Sequence, residues 1–320
     1  MQIRVWQFNN DDSFVPSFLE GMSMAHEEPV RSEEWFRWKF EQSPYGKAIM
    51  ACAFDGETVA GCVAYGRGVM QYENKEWNCA LSYETFVRPD YQGHGLFKKL
   101  IALAEQEMAN EGVQFVYNFP NTNSITGFKH MGWICRNDVR CFKIRVQHLC
   151  KTALHVLDLK KPFEPNVSNW DNIKRFAPVD LPIENTNAKV ITPVWSADYI
   201  RWRFFSIPNR EYYVLNTDTV FSISMIGKRG HLKTAHVLYS ISKKDKTMGS
   251  SIRETLKSLK KNVSPDVIEY ASSVFDSTLE GVMGFFKVPA SGNFCYKILD
   301  ESLKIDDFKM VLPSINAHTY

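Results

Sequence analysis

The stretch of sequence that decides the fold joins a strand pattern to a helix pattern through two glycines, and it reads Val87-Arg88-Pro89-Asp90-Tyr91-Gln92-Gly93-His94-Gly95-Leu96-Phe97. Proline cannot donate a ladder hydrogen bond, so the strand pattern over residues 77–87 is expected to stop before it. From Leu96 to Met108, apolar residues recur with helical spacing. The first N–H groups of a helix lack partners, and glycine lets an anion approach them, so the stretch predicts a phosphate site.

Two other kinds of phosphate site can be excluded. A nucleoside-triphosphate loop needs the sequence Gly-Lys-Ser/Thr, which the chain does not contain. A dinucleotide fingerprint needs a third glycine at the position of Lys98. The preceding strand patterns are joined by Asp55-Gly56, which is typical of a hairpin rather than of a βαβ unit.

The stretch resembles motif A of the GNAT superfamily of acyl-CoA-dependent N-acyltransferases, whose signature is Gln/Arg-x-x-Gly-x-Gly/Ala. Gln92 and Gly95 agree with the signature, and Phe97 departs from it because a bulky side chain replaces a small one. The likeness covers residues 77–146. There, Asn121-x-x-Ser124 and Phe128, with the Gly-Trp pair that follows, resemble the family's Asn-x-x-Ala, tyrosine and Gly-Phe segment.

The resemblance implies a cofactor, acyl-CoA, that carries an acetyl or a longer acyl group. Its pyrophosphate would lie on the glycine loop, and its pantetheine arm would pair with the main chain at the end of the preceding strand. The cofactor-binding residues implied are Phe86, Val87, Gln92, Gly93, His94, Gly95, Leu96, Phe97, Asn121, Ser124 and Phe128.

The candidate general base is Glu84, which precedes the loop on the same strand. Acyl transfer to an amine requires that the amine lose its proton, directly or through water. Strand alternation predicts that Glu84 shares a face with Ser82 and Phe86. The alternative is a structural carboxylate that a neighbouring arginine or solvent satisfies.

The candidate acid for the departing thiolate is His130. The family usually has a tyrosine where this chain has Phe128, which has no proton to give. Tyr117, water and the acceptor's own ammonium group are alternatives, and a surface role for His130 is another.

The sequence also contains an internal repeat. Arg37-Trp38-Lys39-Phe40 returns 164 residues later as Arg201-Trp202-Arg203-Phe204, with a proline at the same distance after each copy. Cys141-Phe142-Lys143-Ile144 returns as Cys295-Tyr296-Lys297-Ile298. Two matches in the same order indicate a duplication rather than a coincidence of common residues.

The duplication predicts an α/β fold of two tandem GNAT-like mixed β-sheets flanked by helices, of which only the first has a CoA loop. We expect an acyl-CoA-binding domain over residues 1–146, a proline-rich connecting segment over residues 147–195 and a degenerate domain over residues 196–320. The second half would cover the substrate or form the interface of a homodimer.

Composition limits the partners and the compartment. The chain has 38 basic and 36 acidic side chains, which gives no electrostatic reason to expect a nucleic acid or an acidic membrane surface. No apolar run approaches the roughly 20 residues that span a bilayer. Seven scattered cysteines predict no disulfide framework, and no metal site is expected. We therefore expect a cytoplasmic protein.

The acceptor is expected to be the amine of a small molecule. The tryptophan-rich run before Ser43-Pro44-Tyr45-Gly46 resembles GNAT members of bacterial polysaccharide pathways, which implies a nucleotide-linked (dTDP- or UDP-) amino sugar. The tryptophans could equally be core residues of an amphipathic helix. Other acceptors that remain open are a protein amine, a peptide and an aminoglycoside-like antibiotic. A non-catalytic acyl-CoA-binding protein is the alternative to an enzyme.

Overall fold

A computed structural model describes residues 1–72, 75–121, 124–137, 139–165, 190–208, 210–243, 248–273, 282–289, 293–303 and 309–310. Residues 166–189, about half of the connecting segment expected over residues 147–195, lie outside them, as does the chain after residue 310. Residues 244–247, which precede a helix of the second half, also lie outside them.

The helices and strands alternate along the chain. The helices are α1 (Val15–His26), α2 (Glu33–Phe40), α3 (Leu96–Asn110), α4 (Ile125–His130), α5 (Leu149–Leu154), α6 (Ala197–Ile200) and α7 (Met248–Asn262). The strands are β1 (Gln2–Val5), β2 (Ile49–Asp55), β3 (Thr58–Tyr72), β4 (Lys75–Val87), β5 (Phe115–Asn118), β6 (Ile134–Arg136), β7 (Arg140–Val146), β8 (Glu164–Pro165), β9 (Thr192–Pro193), β10 (Tyr213–Asn216), β11 (Val220–Arg229), β12 (Leu232–Ser242), β13 (Val267–Ser273), β14 (Phe286–Pro289) and β15 (Phe294–Ile298). None of the described helices is long and apolar enough to cross a membrane.

The strands form two mixed sheets. The first has the order β1-β2-β3-β4-β5-β15-β6, with β9 paired to β3, and the second has the order β10-β11-β12-β13-β7-β14, with β8 paired to β11. In each sheet one inner pair is parallel, β4 with β5 and β12 with β13, and the other described pairs are antiparallel. The predicted α/β fold of two mixed sheets flanked by helices is confirmed.

Strand alternation decides which helix each face of the first sheet meets. On β2, Met50 and Phe54 belong to the core under α1 and α2, whereas Ile49 and Ala53 belong to the core under α3. The hairpin between β2 and β3 turns at Gly56, whose φ is +58°, as the Asp-Gly pair predicts. The helices therefore cover opposite faces of the strand that leads into the glycine loop.

The two sheets exchange a strand. β7 ends at Val146 and lies in the second sheet between β13 and β14, while β15 comes from the second half of the chain and lies in the first sheet between β5 and β6. These strands carry the two copies of the Cys-aromatic-Lys-Ile repeat. Each sheet is therefore completed by one strand from the other half of the chain.

A disulfide bond fixes the exchanged strand β15. Cys135 on β6 and Cys295 on β15 are register partners and are bonded to each other, although 160 residues separate them in sequence. The expectation that the cysteines form no disulfide framework misses this bond, because only the strand exchange brings the two residues together.

The two halves meet at the repeated tryptophans. The indole N–H of Trp38 donates to the carbonyl oxygen of Trp202 at 2.8 Å. In return, the indole N–H of Trp202 donates to the carbonyl oxygen of Trp38 at 2.8 Å. The rings stack with centroids 5.4 Å apart. A reciprocal bond between equivalent residues is what an approximate twofold axis produces, so the axis between the halves passes beside this pair.

Candidate active site

A cleft opens where β4 and β5 separate. The two strands pair only between Cys79–Leu81 and Phe115–Tyr117, yet β4 continues to Val87. The cleft has a volume of about 870 Å³, and its walls come from α1, the segment before α2, the end of β4, the glycine loop and the chain between β5 and α4. Separation of two parallel strands in the middle of the sheet thus creates room for an extended ligand.

A β-bulge decides which face of the sheet each side chain near the end of β4 takes. Tyr65 pairs with Ser82 and Ala64 pairs with Glu84, so Tyr83 is the extra residue. Tyr65 packs on the α3 side of the sheet and Ala64 on the α1 side. The prediction that Glu84 shares a face with Ser82 is therefore wrong, since the bulge interrupts the alternation between them.

The glycine loop has the conformation that an anion site requires. Gly93 and Gly95 have φ values of +82° and +70°, and a Cβ atom at either position would meet nothing within 4 Å. Gly95 is the residue before α3, and no described side chain caps that helix. The Gln92 side chain donates to the carbonyl oxygen of Val87 at 3.1 Å, which holds the loop against the strand end. The first N–H groups of α3 therefore remain available to a phosphate.

Most of the predicted cofactor-binding residues line this cleft. They are Phe86, Val87, Gln92, Gly93, Gly95, Leu96, Phe97, Asn121, Ser124 and Phe128. His94 lies in the same loop but is exposed and outside the cleft wall. The structure thus brings the predicted set together, apart from one histidine that does not line the cleft.

The Asn121–Ser124 pair organises the segment after β5. The Oδ1 atom of Asn121 accepts from the backbone N–H and from the hydroxyl of Ser124, both at 3.0 Å. These bonds fix the turn that enters α4 beside the cleft. Both residues therefore shape the wall by holding the backbone.

The bulky residue in the signature is accommodated by a glycine. The ring of Phe97 packs edge-on against Phe128 with centroids 5.4 Å apart, and a Cβ atom at Gly127 would lie 2.7 Å from the Phe97 ring. Phe128 is 1% exposed and also packs on Trp133. Phe97 thus occupies space that Gly127 leaves empty, so the departure from the signature does not close the cleft.

The predicted acid does not line the cleft. His130 is the last residue of α4 and is exposed, whereas Phe128 two residues earlier is buried. Residues two apart on a helix point in different directions. Tyr117, the other candidate, is buried among aromatic residues of the sheet and also stands outside the cleft wall.

Glu84 lines the cleft and is paired with a lysine. Its Oε1 atom accepts from the ammonium of Lys39, which is only 3% exposed. The ammonium also lies over the rings of Trp35 and Tyr83, at 4.8 Å and 5.6 Å from their centroids. Burial lowers the pKa of Lys39, and Glu84 partly offsets this shift. The partner that we expected to be an arginine or solvent is therefore a buried lysine.

His26 stands on the other side of Glu84 and was missed by sequence reasoning. Its Nε2 atom is 3.9 Å from Oε2 of Glu84, and it ends α1 at the cleft wall. Glu28, Arg31 and Trp35 line the same end of the cleft. The run of charges and tryptophans from residue 26 to 40 was the only signal in the sequence, and it did not single out His26.

A family model matches the part of the chain that forms the cleft. A family model described as "Acetyltransferase (GNAT) domain" matches residues 11–135. That match contains α1, the end of β4, the glycine loop, α3 and α4, which together form the cleft. A comparison with curated protein sequences gives no match.

Among solved structures, the chain is similar to a conserved protein of unknown function from Enterococcus faecalis V583, a probable N-acyltransferase, with a TM-score of 0.60 at 10% identity over 94% of this chain and 73% of that one. It is similar to Eis1 from Mycobacterium abscessus, with a TM-score of 0.56 at 12% identity over 94% and 74% of the two chains. It also resembles the N-myristoyltransferase of Saccharomyces cerevisiae with bound myristoyl-CoA, with a TM-score of 0.52 at 12% identity over 92% and 78%. At these identities the similarity shows a shared fold, and it extends over both halves.

The family match covers the residues that form the cleft and the uncapped start of α3. The glycine loop and the separated strands fit the phosphates and the extended arm of a coenzyme A thioester. Residues 11–135 are therefore a GNAT acetyltransferase domain, and the chain is an N-acyltransferase that uses acyl-CoA.

Proposed function

We propose that this chain transfers an acetyl or longer acyl group from acyl-CoA to the amine of a dTDP- or UDP-linked amino sugar in the synthesis of a surface polysaccharide. The observation that carries the proposal is the placing of Glu84 and His26 in the same cleft as the glycine loop. Glu84 lies three residues before the end of β4, about 10 Å back along the strand from its last residue. This spacing separates an acceptor end from a phosphate end.

At the phosphate end, the chain supplies main-chain groups. The N–H groups at Gly93, Gly95 and the first turn of α3 would hold the pyrophosphate. The part of β4 that β5 leaves unpaired, at Phe86 and Val87, would pair with the pantetheine arm. When bound, acyl-CoA would supply the activated acyl group as a thioester. That His94, a residue of the same loop, takes part in cofactor binding stays a prediction from the sequence.

At the acceptor end, Glu84 and His26 would take the proton of the attacking amine. Both oxygens of Glu84 already face cationic or ionisable groups, Lys39 on one side and His26 on the other. Glu84 is therefore better placed to orient His26 than to act alone, and His26 is exposed enough to meet an acceptor. The departing thiolate would take its proton from water or from the acceptor, because His130 stands outside the cleft.

The charges of the acceptor end favour a sugar nucleotide over a polycation. Its charged lining residues are Glu28, Glu84 and Arg31, with Lys39 directly behind Glu84. A polycationic antibiotic or a basic peptide would need an excess of carboxylates, which this balanced wall does not offer. Arg31, which is ion-paired with Glu28 at 2.9 Å, would supply a cation for the nucleotide's phosphates. An amine on a sugar, with electron-withdrawing neighbours, also needs less help to lose its proton than a lysine amine.

The direct test of this acceptor class is release of free thiol from acetyl-CoA and longer acyl-CoA esters with a panel of amines. The panel contains dTDP- and UDP-linked amino sugars, the same amino sugars without nucleotide, an aminoglycoside and a lysine peptide. We expect turnover with a nucleotide-linked amino sugar at least ~10-fold more efficient than with its free sugar. Turnover only with the peptide or the aminoglycoside contradicts the proposal, as does acyl-CoA binding without turnover on any amine.

The phosphate end is tested by Gly95→Asp. The new carboxylate would face the pyrophosphate at the start of α3, so we expect CoA affinity to fall roughly 100-fold in a calorimetric titration. Gly112→Asp is the matched control, because Gly112 has a φ of +74° and equally open surroundings at the other end of α3. Equal affinities in Gly95→Asp and Gly112→Asp would refute the placement of the phosphate.

The acceptor end is tested by His26→Gln in kinetics with the best acceptor. We expect kcat to fall about 100-fold or more while the affinity for CoA is unchanged. His130→Gln is the control, and it should leave kcat as it is. A full-rate His26→Gln variant would remove His26 as the base.

The division of the chain remains part of the proposal. We propose that the second half is a degenerate GNAT-like domain without a cofactor site of its own, which supports the first half through the shared tryptophan pair. The homodimer and the cytoplasmic location stay predictions from the sequence. Light scattering of the purified chain checks the dimer.

A further inference from the structure

A second cluster of polar side chains lies in the other half of the molecule, away from the cleft. His155 follows α5, Asp158 lies in the 3-10 turn Val156–Lys160, and His231 lies in the turn between β11 and β12. One nitrogen or oxygen from each lies within 4.8 Å of the others. The sequence predicts no metal site, because His231 is 76 residues away from His155 along the chain.

The distances within the cluster are those of ligands around one metal ion. The Nδ1 atom of His231 is 3.0 Å from Oδ2 of Asp158, and the Nδ1 atom of His155 is 3.7 Å from the same oxygen. Zinc–nitrogen and zinc–oxygen bonds of about 2.0–2.2 Å in a tetrahedron separate neighbouring ligand atoms by about 3.4 Å. The two observed separations lie on either side of that value.

The two imidazole rings are already arranged side by side. Their centroids are 4.6 Å apart and their planes are 26° from parallel. Both rings direct Nδ1 towards one carboxylate oxygen, so a single ion beside that oxygen could meet both nitrogens after small rotations. The approach of both Nδ1 atoms to one carboxylate oxygen distinguishes this cluster from histidines that merely lie near each other.

Neighbouring groups hold the carboxylate in place. The other oxygen of Asp158, Oδ1, is 2.7 Å from the ammonium of Lys161, and the backbone N–H of His231 donates to Oδ2 at 2.9 Å. Asp158 is buried, and it packs over Gly230, where a Cβ atom would lie 2.5 Å from its carboxyl carbon. Such outer contacts orient the ligand of a metal ion and are characteristic of metal sites.

We propose that His155, Asp158 and His231 bind one divalent cation of the kind that prefers imidazole and carboxylate ligands, with zinc as its representative. Oδ2 of Asp158 and the two Nδ1 atoms are the protein ligands, and water completes the coordination. The ion ties the 3-10 turn after α5 to the β11–β12 hairpin. This site is independent of acyl transfer, and it adds a structural clamp to the second half.

The test is a zinc titration of the full chain in competition with a chromogenic chelator. We expect one equivalent of zinc to bind and excess Mg²⁺ not to compete, because Mg²⁺ avoids imidazole. The double variant His155→Gln/His231→Gln should lose this equivalent. His148→Gln is the matched control in the same segment, and Cys150→Ser controls for the exposed thiol of α5.

A thermal melt provides a second readout that does not depend on counting zinc. Zinc should raise the Tm of the wild-type chain and of His148→Gln, and it should leave the Tm of the double histidine variant unchanged. The double variant keeps Asp158 and Lys161, so its metal-free Tm reports whether it folds. No bound zinc in the wild-type chain, or an equivalent that survives in the double variant, overturns the proposal.

Discussion

The two copies of the repeated tryptophan segment occupy matching places and have different neighbours. Arg37–Phe40 ends α2 as regular α-helix, whereas Arg201–Phe204 follows α6 as a π-helical turn. Lys39 in the first copy reaches Glu84 at the cleft. Its counterpart Arg203 is also buried, and its guanidinium lies 5.8 Å from the centroid of the Trp38 ring. The comparison teaches that the duplicated scaffold is shared by the halves, while the charge that pairs with Glu84 comes from Lys39 of the first copy.

The largest expected effect follows from breaking the charge pair of the first copy. Glu84→Gln leaves the buried ammonium of Lys39 without its carboxylate, so we expect the free energy of unfolding to fall by about 3–5 kcal/mol near neutral pH. Lys39→Met/Glu84→Gln removes both charges and should recover most of this loss. Urea unfolding of the wild-type chain and of each variant measures these differences.

The same variant has a defined pH dependence. Burial holds the pKa of Lys39 below its ordinary value of 10.5, so between the two values the unfolded chain binds more protons than the folded one. Stability contributed by this group therefore rises with pH over that window. Without Glu84 the pKa of Lys39 falls further, and the loss in Glu84→Gln should shrink as pH approaches about 10. A loss that is constant with pH would show that Lys39 is not the cause.

The next largest effect concerns β15, the exchanged strand that a disulfide bond ties to its neighbour. Cys295→Ser removes the bond that ties β15 to β6 across 160 residues of sequence. We expect the free energy of unfolding to fall by about 2–4 kcal/mol, as measured by urea unfolding without reductant. Addition of reductant should bring the wild-type chain down to the variant. Cys150→Ser, on the exposed surface of α5, is the control and should unfold as the wild type does.

The smallest effect tests the symmetry of the comparison itself. Trp38→Phe and Trp202→Phe each remove one indole N–H and leave the partner's carbonyl oxygen without its donor. We expect each to cost about 1–3 kcal/mol, and the two costs to be similar because the bonds are reciprocal. The double variant should cost less than the sum, since both residues belong to one contact. Clearly unequal single costs would show that the two reciprocal bonds are not energetically equivalent.

The glycine loop could be predicted from the sequence because its signal is local. Gly93 and Gly95 take positive φ values, and a proline-ended strand and an amphipathic helix flank them within a few residues. The family likeness and the fold class of the first half follow from this one stretch. The internal repeat likewise identified Trp38 and Trp202 as equivalent residues.

The rest of the site depends on contacts that sequence spacing does not reveal. The bulge at Tyr83 places Ser82 and Glu84 on opposite faces of the sheet. No residue type in the sequence indicates a bulge at this position. Lys39 meets Glu84 only when α2 packs on the sheet. Phe97 departs from the family signature, and the residue that makes room for it, Gly127, lies 30 residues further on. Each of these features forms only in the tertiary structure.

The exchange of β7 and β15 has a consequence for how the protein is made. The first sheet receives β15 between β5 and β6 only after residue 298 has been synthesised. Until then, the nascent acyltransferase domain exposes two strand edges that the finished molecule covers, and such edges invite pairing with other chains. A gene fragment that ends at residue 146 would share this defect permanently. The smallest unit that can be expressed as a complete catalytic sheet is therefore nearly the whole chain.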